Sequence, residues 1–231
     1  MKNLLTAITF IALFFATTQA WAQSANSVYI DQIGSGSNIA VTQTGSNNNV
    51  GTSNGPMTLY GNTQTITISQ IGSGNTGTIA VNGAGATLTS SVTGNTNTVN
   101  VACGTGGTGA TGACTDSVLA ASATGDNNTM NVTTGMKSTA TINLNGGSNT
   151  ATINNTTNNL LGTTATISGT GDGNTFSINQ SGTAGANGYV ATINSTGSSN
   201  NIGITQGGTV DSTVKITSSG SNNNITVHSG N

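Results

Sequence analysis

The sequence predicts an all-β fold: a β-solenoid with two strands per rung and about eight rungs, each reading strand, Gly-x-x-Asn corner, strand. Three observations predict it. First, Gly-x-x-Asn recurs at Gly45/Asn48, Gly72/Asn75, Gly94/Asn97, Gly125/Asn128, Gly146/Asn149, Gly171/Asn174, Gly197/Asn200 and Gly220/Asn223. Second, from Gly94 onward, apolar or small residues follow each corner in period two, at Val99/Val101, Met130/Val132, Ala151/Ile153, Phe176/Ile178, Ile202/Ile204 and Ile225/Val227. That alternation marks half-buried strands. Third, a second family of strands stands at one constant sequence offset, in the pairs Val28/Ile39, Ala140/Ala151, Ala165/Phe176, Ala191/Ile202 and Val214/Ile225. Less regular pairs, Ile66 with Ile79, Leu88 with Val99 and Val118 with Met130, complete the set of rungs.

Each element follows from its residues. At the corners, Gly and Asn tolerate positive φ at low cost, as tight reversals between short strands require. A single repeat cannot bury its own apolar face, so stability demands stacking, and about eight rungs at strand spacing of ~4.8 Å give a rod of roughly 40 Å. Alternation buries Val28, Ile30 and Gln32 on one strand and Ile39, Val41 and Gln43 on the next. Each buried face thus ends in an amide, a place repeated at Gln70, Gln180 and Gln206. Stacked amides hydrogen-bond along a column, whereas a lone buried one costs free energy. Ser195, Ser218, Asn155 and Leu144 take that place elsewhere, so the expected glutamine ladder is incomplete.

Residues 51–64, holding the only proline, Pro56, and 104–117 interrupt the rhythm as insertions. The second is framed by Cys103 and Cys114, which are expected to form a disulfide in an exported chain. Export is itself expected from residues 1–22. Lys2 precedes an apolar run from Leu4 to Phe15, and Ala20-Trp21-Ala22 makes a small-residue cleavage site, the pattern of a secretory signal peptide. The run is too short for a membrane span. The repeat domain is then 23–231, with only Gln23 to Ser27 before Val28 and only His228 to Asn231 after Val227, so both ends of the rod are expected to be open edges.

Composition excludes several function classes. Only 3% of the chain is charged, with neither Glu nor Arg, against about a quarter in ordinary domains. Beyond the leader, Lys137 and Lys215 are outnumbered by aspartates, which leaves the repeat region weakly negative. No basic patch is present to neutralise phosphates, and only Tyr29, Tyr60, Tyr189 and Phe176 are aromatic there, so no nucleic-acid partner is expected. Acid–base and nucleophilic catalysis need gathered His or carboxylate groups, and His228 is the sole histidine. No enzyme activity and no cofactor are expected. Asp126 and Asp172 follow glycine in corners and read as turn residues rather than calcium ligands. Outward threonines at Thr139/Thr141, Thr150/Thr152 and Thr164/Thr166 resemble the arrays of ice-binding solenoids, with Tyr29, Leu119 and Lys215 expected to interrupt the columns.

Gln32, Asn38 and Gln43, with Ala40 and Val41 between them and Ser27 ahead, resemble the curlin repeat of bacterial functional amyloid, Ser-x5-Gln-x4-Asn-x5-Gln. Asn38 falls one place late, and Gln23 to Ser27 is short for the Gly-rich export segment of that family. The resemblance implies a curli-type fibre subunit of the biofilm matrix, active in cell adhesion. It further implies secretion through an outer-membrane pore, assembly on a nucleator subunit and a homopolymer as the product. A monomeric surface adhesin or stalk, or a Thr-array ice-binding protein, is the alternative. Head-to-tail stacking is expected to set Val214 to Ile216 beside Val28 to Ile30 of the next copy, with Lys215 over Tyr29 and diagonal to Asp31.

Overall fold

The computed structural model describes residues 25–55, 57–102, 114–135, 137–155, 163–182 and 188–230. The expected leader at 1–22, Pro56, Cys103 and 104–113 of the second expected insertion lie outside them. The chain is an all-parallel β-solenoid of about seven turns, built from paired strands. One wall is an eight-stranded sheet running from Asn38–Ser46 to Ser212–Ser219; the other is a nine-stranded sheet running from Ser27–Val28 to Asn224–Ser229. A three-stranded sheet of Ile30–Ile33, Met57–Tyr60 and Val81–Asn82 extends the second wall over the first turns. Parallel sheets are usually buried on both faces and read as continuous apolar runs. Here only the inner face of each wall is covered, which is why these strands alternate instead.

Register between turns is set by matched inward columns. In the eight-stranded wall Ile39, Ile66, Leu88, Leu119, Ala140, Ala165, Ala191 and Val214 stack in one column. Across the core, Val28, Val50, Gly77, Val99, Met130, Ala151, Phe176, Ile202 and Ile225 form the facing column. Apart from the end residues Val28, Ile39, Val214 and Ile225, every apolar side chain in these columns is almost fully buried. Large residues face small ones: a Cβ added to Gly169 would meet the Phe176 ring at 2.6 Å. Such complementarity lets the interior reach close packing without voids.

The two halves of each turn obey different rules. From the eight-stranded wall to the nine-stranded wall the sequence offset is constant, from Ile39/Val50 and Ile66/Gly77 through Leu119/Met130 to Val214/Ile225. The return half varies, from the short step between Met130 and Ala140 to the much longer one between Val99 and Leu119. Two expected pairs therefore move. Ile66 faces Gly77, not Ile79. Leu119, not Val118, points inward, with exposures of 1% and 48%, so Leu119 does not interrupt an outward threonine column.

The first expected pair also changes, because the stretch from Val28 to Ile39 is a return half that happens to match the constant half in length. Val28 lies in the wall that ends at Ile225, while Val214 lies in the wall that begins at Ile39. Lys215 pairs with Thr192 in a column that starts at Ala40, so Lys215 shares no column with Tyr29 or Asp31. Within one copy those residues thus stand in opposite walls, and the expected joint between copies requires a half-turn about the axis from one copy to the next.

The stretch 51–64 is mostly wall rather than insertion. Met57–Tyr60 pairs with Ile30–Ile33 and buries Met57 and Leu59 completely. Only a short excursion precedes it, closed where Thr52 N donates to Gly55 O at 2.8 Å. The end of 104–117 also joins the stack. Asp116 N donates to Ala84 O at 3.0 Å and Lys137 N to Thr115 O at 2.8 Å. Cys114 is fully buried and disulfide-bonded, and the chain's one other cysteine is Cys103.

Candidate assembly ladder and open ends

The Gly-x-x-Asn corner divides its labour by position. Its glycine and its third residue take positive φ, as at Gly94 (127°) and Thr96 (55°). Gly94 is also needed for close approach: a Cβ there would sit 2.1 Å from the carbonyl oxygen of Gly125 on the next turn. The fourth residue does not have positive φ, which corrects the expectation that Asn is chosen for conformational tolerance. Positive φ falls instead at third places such as Asn47, Asn127 and Asn222.

The corner asparagine is the rung of a ladder. Asn48, Asn75, Asn97, Asn128, Asn149, Asn174 and Asn200 are almost wholly buried. Nδ2 of Asn75 donates to Oδ1 of Asn48 at 2.9 Å, Asn97 to Asn75 at 3.0 Å, Asn128 to Asn97 at 3.0 Å, and Asn174 to Asn149 at 3.0 Å. Between Asn128 and Asn149 the backbone N–H of Asn149 supplies the bond, at 3.0 Å. Asn200 continues to Asn174 at 3.1 Å and Asn223 to Asn200 at 2.9 Å. Asn26 begins the series, accepting from Asn48 N at 3.0 Å. The second amide hydrogen reaches forward to a glycine carbonyl, as from Asn48 to Gly72 at 2.8 Å and from Asn97 to Gly125 at 2.9 Å. A neutral amide has two donors and one carbonyl acceptor. At Asn75, Asn97 and Asn128 both donors and the acceptor are engaged, so burial leaves none of these groups unsatisfied.

Sequence reasoning placed the buried ladder on glutamine and missed this one. A signal was available: the second and third corner places vary among Ser, Gly, Asn, Asp and Thr, while the fourth is always Asn. Only a short side chain that both donates and accepts fits that requirement; an ionised Asp lacks the donors.

Glutamines form two separate pairs in opposite walls. Gln43 donates to Gln70 Oε1 at 2.8 Å in the eight-stranded wall. Gln180 donates to Gln206 Oε1 at 2.8 Å in the nine-stranded wall. Gln32 is in neither: it is exposed, pairs in register with Leu59, and donates to Gly34 O at 3.4 Å. The ends of these amides are held by backbone carbonyls, such as Val190 O for Gln206 at 3.0 Å.

On the outer surface, second-place corner residues make a further polar column. Asp126 Oδ1 accepts the N–H of Asn95 at 2.6 Å, and Asp172 Oδ1 that of Gly147 at 2.7 Å. Both carboxylates thus cap backbone donors of the preceding turn. Thr76, Thr98, Thr129, Thr150 and Thr175 stand in one outward column of the nine-stranded wall.

The two ends carry, among the described residues, the unpartnered backbone edges. Among the described residues, no strand pairs outside Ser27–Ile33 and Asn38–Ser46 at one end, or outside Ser212–Ser219 and Asn224–Ser229 at the other. Val28, Ile30 and Ile33 are exposed there, while Ile39, Val41, Val214, Ile225 and Val227 are half-buried against the core. No protein-family model matches the chain, and no curated protein or solved structure matches it either.

Proposed function

We propose that the protein is the structural subunit of an extracellular, curli-type amyloid fibre, polymerising by stacking one solenoid end on the other. The observation that carries this reading is the match between the ends. Each offers two parallel strand edges with an apolar column behind each, Val214 and Ile225 at one end and Val28 and Ile39 at the other; because one wall has one strand more, a half-turn between copies sets Val28 on Val214 and Ile39 on Ile225. Open edges with exposed apolar residues template further strands. The leader-like pattern at 1–22 supports export, and Gln32, Asn38 and Gln43 support kinship with curlin repeats. A nucleator subunit and an outer-membrane pore are the partners this reading adds, with adhesion and biofilm matrix as its setting. It calls on no catalysis. Incubation of the purified protein should yield thioflavin-binding fibres whose diffraction shows the strand spacing of ~4.8 Å along the fibre axis. A protein that stays monomeric in sedimentation through such an incubation overturns the reading.

The in-register column from Thr76 to Thr175 favours one second reading, a monomer that orders water on a flat hydroxyl face. Thermal hysteresis by the monomer would support it, and its absence would remove it.

A further inference from the structure

We infer that stacked copies meet corner on corner, with Asn223, the last asparagine of one copy's ladder, bonded to Ser37 of the next, so that the seam crosses the joint unbroken. The inference rests on the stacking reading above and names its contact. One wall has eight strand places and the other nine, so a copy both begins and ends in the nine-stranded wall. The first strand of the next copy therefore continues the eight-stranded wall, a half-turn on. Val28 then lies on Val214 and Ile30 on Ile216, while Ile39 lies on Ile225 and Val41 on Val227. Between these columns the corner Gly34-Ser35-Gly36-Ser37 covers Gly220-Ser221-Asn222-Asn223. The two corners match place for place. Positive φ falls at the first and third residues of both, Gly34 (135°) and Gly36 (71°) against Gly220 (107°) and Asn222 (62°). Ile30 and Ile39 flank one corner at the same offsets at which Ile216 and Ile225 flank the other.

Each end of the seam has an unanswered group in the single copy. At internal rungs the backbone N–H of the fourth corner residue donates to the asparagine oxygen of the turn before, as from Asn200 to Asn174 at 2.9 Å and from Asn223 to Asn200 at 3.0 Å. Among the described residues no donor reaches Oδ1 of Asn223, which is half-buried on the last rung. Ser37 Oγ is buried without a hydrogen-bond partner, a state that costs free energy until a partner arrives. In the joint the Ser37 N–H and hydroxyl donate to Asn223 Oδ1, as the N–H and amide of an asparagine do inside the copy. The second amide hydrogen of Asn223 reaches Gly34 O, as that of Asn149 reaches Gly171 O at 2.9 Å. Space for that carbonyl is already open. A Cβ on Gly171 or Gly197 would strike the next turn's glycine oxygen at 2.5 or 2.3 Å, whereas one on Gly220 would meet only Asn223 Nδ2, at 3.7 Å. On the outer column the Ser198 N–H donates to Ser221 Oγ at 3.0 Å, and the Ser221 N–H meets Ser35 Oγ across the joint in the same way. A second copy answers the apolar columns and the polar seam together, which makes it the occupant of this end.

Two measurements test the joint. In-register residues on adjacent strands stand ~4.8 Å apart, within disulfide range. In fibres oxidised after assembly, with the native cysteines retained, Thr226→Cys with Ala40→Cys should link copies covalently, and Thr226→Cys with Tyr29→Cys should not. Links through the second pair, or none through the first, overturn the half-turn register. The seam is read from the soluble protein left at the polymerisation plateau. Asn223→Ala should raise it by about tenfold and Ser37→Ala by about threefold through lost hydrogen bonds, and the outward Thr226→Ala by less than about twofold. Asn223 and Ser37 stand at opposite ends of one copy, so they couple only through the joint. The double variant should therefore be no worse than Asn223→Ala alone, a result that fraying of one end does not produce. Effects that multiply overturn the contact and leave stacking intact. A wild type that does not polymerise overturns the stacking reading itself.

Discussion

Asn97 donates one amide hydrogen to Oδ1 of Asn75 at 3.0 Å and the other to the carbonyl of Gly125 at 2.9 Å, so a single side chain ties three consecutive corners. Its own oxygen accepts from Asn128 in turn. Asn97→Ala removes these bonds and leaves buried partners on both sides, which should cost about 2–4 kcal/mol. Asn100→Ala, on the outer face of the same wall, should change stability by less than about 0.5 kcal/mol. Urea denaturation midpoints for the two variants check the contrast.

Two glycine substitutions should differ in sign. Gly94→Ala has to fit a Cβ 2.1 Å from the Gly125 oxygen at a φ of 127°, and should severely destabilise or unfold the central turns. Gly203→Ala meets nothing within 4 Å and needs no left-handed backbone, so it should be neutral or stabilise by up to about 1 kcal/mol. Thermal unfolding of both proteins reads the difference directly.

The glutamine pair of the nine-stranded wall offers a local probe. Gln206→Leu preserves bulk but removes the oxygen that Gln180 reaches at 2.8 Å and the amide that Val190 O accepts at 3.0 Å. It should lower stability by about 1–3 kcal/mol, whereas the outward Thr192→Ala should have little effect. Hydrogen exchange of the last turns is the readout, and equal protection in both variants would remove the pair from the account.

Tyr189 gives the fold an alkaline limit. Burial pushes its phenol above the ordinary range, and the nearby Asp211 carboxylate pushes in the same direction. The hydroxyl donates to Gly208 O at 2.6 Å, a bond the phenolate cannot make. With the folded value raised, this contribution is fully present below the unfolded tyrosine value of about 10 and is lost as pH rises through the folded one. Stability of the wild type should therefore fall above about pH 10 by more than that of Tyr189→Phe. Denaturant titrations at pH 8 and 11 check this.

What was legible in the sequence was whatever repeats at fixed spacing. Gly-x-x-Asn, the constant half-turn and inward pairs such as Phe176/Ile178 and Ile202/Ile204 all emerge as the walls and core. The first turn misled because Gly34 and Gly45 each open a corner, and Val28/Ile39 has the same sequence offset as Ile39/Val50; spacing alone cannot separate the halves. Met57 and Leu59 were hidden behind Pro56, which breaks the local alternation before the strand resumes. The asparagine ladder was read as turn chemistry because both roles favour the same residue. The observed φ, positive at the third place and not the fourth, tells them apart, as does a fourth place that stays Asn while the second and third vary.

The fixed half-turn and the variable one lie on opposite edges of the solenoid, and this gives the protein a front and a back. Length changes between Val99 and Leu119, or between Ala151 and Ala165, leave the asparagine seam at Asn97, Asn128, Asn149 and Asn174 undisturbed. Foreign peptides grafted at those places should therefore be carried without disturbing the register of the walls. In a filament whose copies alternate by a half-turn they would recur once per subunit on alternate sides, turning the chain into a two-sided display lattice whose spacing is set by the length of one solenoid.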